Sequence, residues 1–163
     1  MPRKLDDITI IRDSREQNGW FFDEEEKKPG KHRIAGTVIN GLDTGDYSVF
    51  GHTDLIRVER KNGFQELFTN NSPKENKERF EREVERLSHF PYAIIMIETN
   101  LTLDVCGLSV PQFHKSPPVS VLLRWLNGLY FKYKVPHVFV GDAGKKYFRI
   151  FIEEALKNAN SKN

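Results

Sequence analysis

The chain has 163 residues, a length typical of one domain with a substantial hydrophobic core. Its formal net charge of +2 excludes the overall basicity of histone-like proteins, so any contact with nucleic acid has to come from local patches. The single cysteine, Cys106, excludes an internal disulfide and is expected to be a core thiol in a reducing compartment. No apolar run approaches the roughly 20 residues of a membrane span, so we expect a soluble protein of the cytoplasm, or of the nucleus in a eukaryote.

The first third of the chain predicts strands separated by a long polar connection. β-branched residues in "DITIIRD" (7–13) predict a first strand, and residues 14–36 form the connection, with a run of acids and a Pro-Gly. "GTVINGLDTGDYSVF" (36–50) and "DLIRVERK" (54–61) predict the next strands, joined near Gly51.

The remaining sequence alternates helical and strand patterns. A short helix is predicted in "FQELFTN", and a strong one over 72–90, capped by Ser72 and carrying apolar residues at helical spacing. Buried strands are predicted at 92–99 and 136–142, and helices at 119–135 and 143–159. A β-meander followed by helix, strand, helix, strand and helix predicts one three-layer α/β domain, with a central mixed sheet flanked by helices.

Acidic residues gather at one end of the predicted meander. Glu59 and Lys61 share one face of their strand, about 6–7 Å apart. A hairpin would bring Asp46 beside Glu59, and Asp13 and Glu16 follow the first strand in "RDSRE". Clustered carboxylates raise each other's pKa unless a cation lies between them, and Mg²⁺ prefers one or two carboxylates with water and phosphate oxygens.

Two carboxylates and a lysine in this arrangement are the minimal apparatus of a metal-dependent nuclease. The ion would polarise a phosphodiester and activate water, and the lysine would add positive charge at the reacting phosphate. The competing interpretation is a solvated strand face, because Glu-x-Lys is common on amphipathic strands.

These residues resemble the nuclease domain of the XPF family of structure-specific endonucleases. That family carries a Gly-Asp, a spacer and a Glu-Arg-Lys; here these are Gly45-Asp46 and Glu59-Arg60-Lys61. "DSRE" (13–16) is similar to the family's Asp-x-Arg-Glu element. "ERFEREVERL" followed by "YAIIMIE" is similar to its arginine-bearing helix and buried strand.

The resemblance implies a restriction-endonuclease-like fold of the PD-(D/E)xK superfamily and DNA cleavage with Mg²⁺ or Mn²⁺. It implies metal ligation by Asp46 and Glu59, with Asp13 as a further ligand or water-orienting group, and a catalytic role for Lys61. Glu16 and Arg15 lie in a matching element, Glu16 as a further catalytic candidate and Arg15 as a candidate DNA contact. Arg60 matches the motif in a supporting role and is a second candidate DNA contact.

The sequence also departs from the family pattern. Gln65 replaces an aspartate three residues after the lysine, so Glu66 is a candidate substitute, and Glu83 stands where a glutamine is common. We expect the whole chain, 1–163, to be one nuclease domain, since no segment resembles the family's helix-hairpin-helix module or its helicase domain. The resemblance therefore does not imply that this protein has the family's specificity for DNA junctions.

Several basic and aromatic residues are candidate DNA contacts. Arg79, Arg82 and Arg86 share one side of the predicted helix, where interleaved glutamates equally suit a solvated salt-bridge ladder. A basic cluster at 27–33 would lie on a mobile loop. The run Trp20, Phe21 and Phe22 suits stacking on bases, but more often core packing.

The sequence thus predicts an endonuclease acting on branched or structured DNA in repair, recombination or replication. The alternative is a non-catalytic DNA-binding or scaffolding partner of an XPF-type nuclease; retention of the Asp and Glu-Arg-Lys residues favours the enzyme. The apolar helices near 119–135 and 147–156 suit a homodimer, or simply cover the sheet. The five histidines show no paired ligand spacing that would indicate zinc.

Overall fold

A computed structural model describes residues 6–102 and 118–162. Cys106, His114 and most of the predicted connection between 99 and 118 lie outside the described residues. Six strands are present: β1 Ile8–Asp13, β2 Ile34–Asn40, β3 Tyr47–Val49, β4 Ile56–Lys61, β5 Tyr92–Ile97 and β6 His137–Phe139. The helices are α1 Phe64–Asn71, α2 Lys74–Leu87, α3 Val119–Tyr133 and α4 Gly144–Ser161, the last preceded by a short 3₁₀ turn at Gly141–Ala143.

The strands form one mixed sheet in the order β2-β1-β3-β4-β5-β6. Strand β3 is antiparallel to both β1 and β4, whereas β4, β5 and β6 are parallel to one another. Each parallel connection in this half contains a helix, as parallel neighbours require. The predicted α/β class, a mixed sheet flanked by helices, is confirmed.

The first half of the sheet differs in detail from a simple meander. Strand β2 lies at the sheet edge and runs parallel to β1, with Ile10 opposite Thr37. Residues 14–33 provide the long return that parallel pairing needs. This return is partly core rather than loop, because Trp20 and Phe22 are buried against Phe148 of α4.

Two hydrophobic cores lie on opposite faces of the sheet. One face packs against α4 and the 14–33 return, and the other against α1, α2 and α3. The first core contains Ile10, Tyr47, Val58, Met96 and Phe148. The second contains Leu67, Phe80, Ile95, Leu122 and Leu126. This is the predicted three-layer arrangement.

Local sequence explains most helix positions but not every boundary. Phe80, Val84 and Leu87 bury one stripe of α2, as their spacing predicts. The prediction that Ser72 caps this helix is wrong: the N-cap is Pro73, and no side chain among the described residues caps it. Within those same residues, no helix is long and apolar enough to cross a membrane.

Candidate active site

Strand β4 places a charged row on a buried face of the sheet. Its apolar residues Ile56 and Val58 join the α4-side core, and the alternation turns Arg57, Glu59 and Lys61 toward the α1–α3 side. All six residues of β4 are nevertheless buried. The solvated-face interpretation of Glu59 and Lys61 is therefore wrong, since their exposures are only 3% and 5%.

Glu59 and Lys61 of this row form the floor of a cleft of about 540 Å³, which Arg57 does not line. The walls come from the end of β1 and the return after it, the turn before β3, the end of β4, and helices α1 and α2. Ten candidate residues line it: Asp13, Arg15, Glu16, Asp46, Glu59, Arg60, Lys61, Glu66, Arg79 and Glu83. Of the other candidate DNA contacts, Arg86 lines it, whereas Arg82, residues 20–22 and the segment 27–33 do not. The structure brings this set together, and the individual roles stay predictions.

Glu59 and Lys61 form a buried ion pair at the base of the cleft. Lys61 Nζ lies 2.6 Å from Glu59 Oε1 and 4.8 Å from the centre of the Phe80 ring. The other oxygen, Glu59 Oε2, is buried and has no hydrogen-bond partner among the described residues. Burial raises the pKa of Glu59 well above its ordinary value, and repulsion from Asp46 and Glu83 adds to this despite the attraction of Lys61.

Lys61 is surrounded by more negative charge than it can balance. Burial by itself would lower the pKa of Lys61, but attraction to Glu59, Glu83 and Glu66 raises it. Glu66 holds its place at 3.5 Å from Lys61 Nζ by accepting a 2.7 Å hydrogen bond from the backbone N–H of Asn62. Lys61 is therefore a fixed cation in this state of the protein.

Asp46 reaches the same cleft from the turn before β3. Gly45 has φ +77°, and a Cβ there would lie 3.3 Å from the Val58 carbonyl oxygen, so glycine permits the close approach of this turn to β4. The Arg60 backbone N–H donates a 2.7 Å hydrogen bond to Asp46 Oδ2. Burial raises the pKa of Asp46 to about 7, with repulsion from Glu16 and Glu83 added.

Glu83 is the carboxylate that α2 contributes. It is half-buried and lines the cleft, and no hydrogen bond or ion pair joins it to another residue in the described part of the chain. Its charge contributes to the raised pKa values of Asp46, Glu59 and Lys61. Asp46, Glu59 and Glu83 thus face one another across the cleft, with the ammonium of Lys61 at its floor and Arg15 at its rim also attracted to Asp46 and Glu83.

Asp13 has a different environment from the one predicted for a metal ligand. Oδ1 accepts hydrogen bonds from Arg15 Nε at 2.8 Å and from the Arg15 backbone N–H, and Oδ2 accepts one from Leu42 N–H at 2.6 Å. Burial would raise the pKa of Asp13, but these bonds hold it below its ordinary value. Both oxygens are engaged, so the structure favours a positioning role for Asp13 over ligation.

Arg15 is held by Asp13 but remains accessible. It also donates a 2.6 Å hydrogen bond to the Leu42 carbonyl, yet 71% of its side chain is exposed at the cleft. The guanidinium is thus fixed in orientation with one edge open to solvent. This placement suits the predicted DNA contact.

Arg60 and Glu16 mainly serve the interior. Alternation turns the Arg60 side chain to the α4 side, where it pairs with Glu98 and, at 3.5 Å, with Glu16. Its guanidinium lies 5.7 Å from the Trp20 ring, and Trp20 Nε1 donates a 2.6 Å hydrogen bond to Glu98. The prediction of a DNA contact by Arg60 is therefore corrected: it is 8% exposed and already paired with carboxylates.

The remaining predicted DNA contacts are the aromatic residues 20–22 and the basic segment 27–33. Phe21 is 47% exposed, but Trp20 and Phe22 are core residues and are not available to stack on bases. The basic segment 27–33 does not line the cleft; Lys28 and Lys31 surround a separate pocket with Arg149 and Glu153 of α4, on the opposite side of the sheet. A loop there cannot close over a strand bound in the cleft.

Asn70, which lines the cleft, and Glu98, which lies beneath it, were not predicted from the sequence as functional residues. Asn70 of α1 lines the cleft one turn after Glu66, and its Oδ1 is buried without a hydrogen-bond partner among the described residues. The spacing of four from Glu66 was the available signal. Glu98 was visible only as the end of β5, and its pairing with Arg60 depends on the tertiary fold.

The residues present fit a hard divalent cation. No group of three or more His, Cys, Asp or Glu side chains within the described ranges is arranged to hold a metal ion by itself. Mg²⁺ does not require such a cage, because one or two carboxylates plus water and phosphate oxygens suffice. The unpartnered Glu59 Oε2 and the raised pKa values of Asp46 and Glu59 indicate negative charge that a cation would balance.

The structure defines an α/β protein whose mixed sheet carries a charged cleft, and solved structures share this fold. The chain is similar to XPF from Aeropyrum pernix, at TM-score 0.52 and 17% sequence identity, over 93% of this chain and 61% of that one. It is also similar to the Aeropyrum pernix XPF solved in complex with DNA, at TM-score 0.53 and 17% identity, over 96% of this chain and 66% of that one.

The chain therefore has the XPF-like nuclease fold, and the resemblance stated from its motifs is confirmed at the level of the fold. It spans less than two thirds of the length of each of these two structures. No protein-family model matches the sequence, and no curated protein is significantly similar to it.

Proposed function

We propose that the protein is a metal-dependent endonuclease that hydrolyses phosphodiester bonds in DNA. The observation that carries this proposal is the uncompensated negative charge of the cleft. Asp46, Glu59 and Glu83 meet around one lysine, and burial keeps the pKa of Asp46 at about 7. A buried carboxylate with one unpartnered oxygen destabilises a fold, so it is best explained by a cation that binds there.

Asp46 and Glu59 would hold Mg²⁺ or Mn²⁺, with Glu83 beside them. The ion, when bound, supplies charge that polarises the phosphate and makes water a stronger nucleophile. Glu59 Oε2 and Asp46 Oδ1 would coordinate the ion, because no hydrogen bond or ion pair with a described residue engages either oxygen. The other two oxygens are engaged: Glu59 Oε1 contacts Lys61, and Asp46 Oδ2 accepts from Arg60 N–H.

Lys61 would place its ammonium against the non-bridging oxygens of the scissile phosphate as negative charge builds up there. Its pairing with Glu59 and the packing against Phe80 fix the ammonium in advance, so no reorganisation is needed during the reaction. Glu66 would hold Lys61 from the other side, which gives it a positioning role.

Asp13 and Glu16 would act through neighbouring arginines rather than on the phosphate. Asp13 orients Arg15, and Glu16 pairs with Arg60, whose backbone N–H binds Asp46. Arg15, on the rim, would contact a backbone phosphate. Arg79, on the α2 side of the same rim, would contact another.

The substrate would be branched or structured DNA of repair, recombination or replication, in keeping with the resemblance to structure-specific endonucleases. A homodimer is proposed through α3 and α4, where Phe131 is 67% and Ile150 51% exposed.

The direct test is cleavage of labelled flaps, forks, splayed arms, single strands and plain duplex with Mg²⁺ or Mn²⁺. We expect cutting of at least one branched substrate, and a loss of about 10²-fold or more in Asp46→Asn and Lys61→Ala. Glu85→Gln, on the exposed side of α2, is the charge-matched control and should cut normally. Full activity of Asp46→Asn would show that the cleft is not the active site.

Metal binding gives a second readout that does not depend on activity. Mn²⁺ should raise the melting temperature of the protein as its concentration passes the dissociation constant. Glu59→Gln should remove this stabilisation, whereas Glu85→Gln should keep it. DNA binding without cleavage and without Mn²⁺ stabilisation would instead support a non-catalytic DNA-binding partner.

A further inference from the structure

Helix α2 does not carry the salt-bridge ladder that its sequence favours. Glutamates interleave with Arg79, Arg82 and Arg86, yet the ion pair found on this helix among the described residues is Lys74–Glu78. None of the three arginines has an ion pair or hydrogen bond with a described residue, and all three are exposed. Their guanidinium groups are therefore available to an external anion.

The three arginines differ in where they lie relative to the cleft. Arg79 and Arg86 line it, together with Glu83 between them, whereas Arg82 does not. Positions 79, 83 and 86 follow the spacing of one helix face. A carboxylate that faces the metal-binding acids is thus flanked along the helix axis by a free arginine on each side.

The spacing of the pair matches the repeat of a nucleic-acid backbone. Arg86 lies seven positions after Arg79, so the two residues are about 10 Å apart along the helix axis. Phosphates of one duplex strand wind around the DNA axis as well as rising about 3.4 Å each along it, so neighbouring phosphates are about 7 Å apart and the two arginines reach phosphates about two steps apart. A phosphate placed over Asp46 and Glu59 would lie beside Glu83, between the two contacts.

We propose that Arg79 and Arg86 form a two-point clamp that holds the cleaved strand by phosphates on either side of the scissile one, with the strand running along α2. This inference rests on the proposed nuclease function and names Arg86 as a second backbone contact. The acidic floor repels DNA, so positive charge on the rim is needed to bring a phosphate to it. Two contacts on one strand also fix which phosphodiester enters the site, which is a cleavage-positioning role.

Helix α2 itself offers a matched control. Arg86→Ala and Arg82→Ala remove the same charge from exposed positions four residues apart, but only Arg86 lines the cleft. DNA affinity is measured by fluorescence anisotropy with Ca²⁺ over a series of salt concentrations, on the substrate that the wild type cuts best. If the wild type cuts none, a fork is used.

We expect Arg86→Ala to weaken binding by about tenfold, as for loss of a charged hydrogen bond, and Arg82→Ala by less than about twofold. The slope of log affinity against log salt should fall by about 0.9 in Arg86→Ala on duplex, one phosphate contact, and stay unchanged in Arg82→Ala. Melting curves exclude unfolding as the cause. Equal effects of the two substitutions would overturn the clamp.

Neutral methylphosphonate linkages, placed one at a time along the cleaved strand, locate the contacts without altering the protein. Wild-type binding should weaken at two linkages, one on each side of the cut and about two steps apart. Arg86→Ala should lose sensitivity at one of them, and Arg79→Ala at the other. Sensitivity that is unchanged in both variants, or confined to the opposite strand, contradicts the proposal.

The outcomes separate this inference from the proposed function. Cleavage by the wild type with identical behaviour of Arg82→Ala and Arg86→Ala would leave the nuclease assignment intact and remove the clamp. Absence of cleavage, together with two sensitive linkages on one strand of which Arg79→Ala and Arg86→Ala each abolish one, would remove the nuclease assignment and keep the clamp as a DNA-binding device.

Discussion

Asp46 should destabilise the metal-free protein, and its replacement by Asn should therefore stabilise it. The carboxylate lies in a cleft where burial raises its pKa to about 7, and Glu16 and Glu83 repel it. An Asn side chain has nearly the same shape, and its oxygen can still accept the hydrogen bond that Arg60 N–H donates to Asp46 Oδ2. The substitution removes the charge and keeps the contact.

The magnitude follows from the difference between the folded and unfolded pKa values. A rise from 3.8 to about 7 corresponds to an upper limit of about 4 kcal/mol at a pH above both values. Because the Asp46 side chain keeps some contact with solvent, we expect about half of this, ~2 kcal/mol. For a chain of this length that is a rise in melting temperature of about 4–8 °C.

The effect has a definite pH dependence. The folded chain binds the Asp46 proton more tightly than the unfolded chain does, so the stabilising contribution of the protonated group is complete below pH 4. It is lost as the pH rises through about 7. The advantage of Asp46→Asn over the wild type should therefore grow between pH 5 and pH 8.

Thermal unfolding in EDTA at pH 5 and pH 8 measures this. Glu85→Gln is the control, because it removes one negative charge from an exposed position on α2 and should not change the pH profile. With Mn²⁺ present the order should reverse, since the wild type gains binding energy that Asp46→Asn lacks. An Asp46→Asn protein no more stable than the wild type at pH 8 in EDTA, or stabilised equally at both pH values, would refute the charge argument.

The buried ion pairs give further predictions. Lys61→Met should lower the free energy of unfolding at pH 8 by about 3–5 kcal/mol, because it leaves Glu59 buried without a cation. The loss should be smaller at pH 5, because burial raises the pKa of Glu59 and so favours its neutral form as the pH falls. Urea unfolding at the two pH values measures this. Adding Glu59→Gln to Lys61→Met should recover most of the loss; a double variant as unstable as the single one would contradict the pairing. Arg60→Met should cost about 3 kcal/mol by leaving Glu98 unpaired, and should change the emission of Trp20, which urea unfolding and fluorescence spectra would show.

Much of the fold follows from periodicity, and the part that does not depends on distant partners. The alternation of β4 and the spacing of Phe80, Val84 and Leu87 in α2 are local signals, and the structure confirms both. The parallel pairing of β1 with β2 is not encoded in either strand. It depends on the return between them, whose polar composition conceals the buried Trp20 and Phe22.

The candidate site was predictable in its membership but not in its electrostatics. The turn at Gly45 and the alternation of Glu59 and Lys61 sufficed to place three groups together. The engagement of both Asp13 oxygens could not be seen, because one partner is the Leu42 backbone, far along the chain. The sequence also could not show that the arginines of α2 have no ion-pair partner among the described residues, because it is equally compatible with a ladder of ion pairs.

The position of Glu59 in the sheet argues for a function more strongly than its sequence motif does. Strand β4 lies inside the sheet between β3 and β5 and is buried along its length, so an apolar residue at position 59 would fit the surrounding core. Replacing a buried ion pair by apolar residues of similar volume commonly stabilises a protein, so stability does not explain Glu59 and Lys61. Repulsion from the nearby Asp46 and Glu83 makes the burial of a charged Glu59 still less favourable for stability. Glu59 is an anion at the centre of the sheet, and among residues 6–102 and 118–162 neither its Oε2 nor the arginines that α2 presents to the cleft have a hydrogen-bond or ion-pair partner. This arrangement is explained if the cleft receives both a cation and a phosphate.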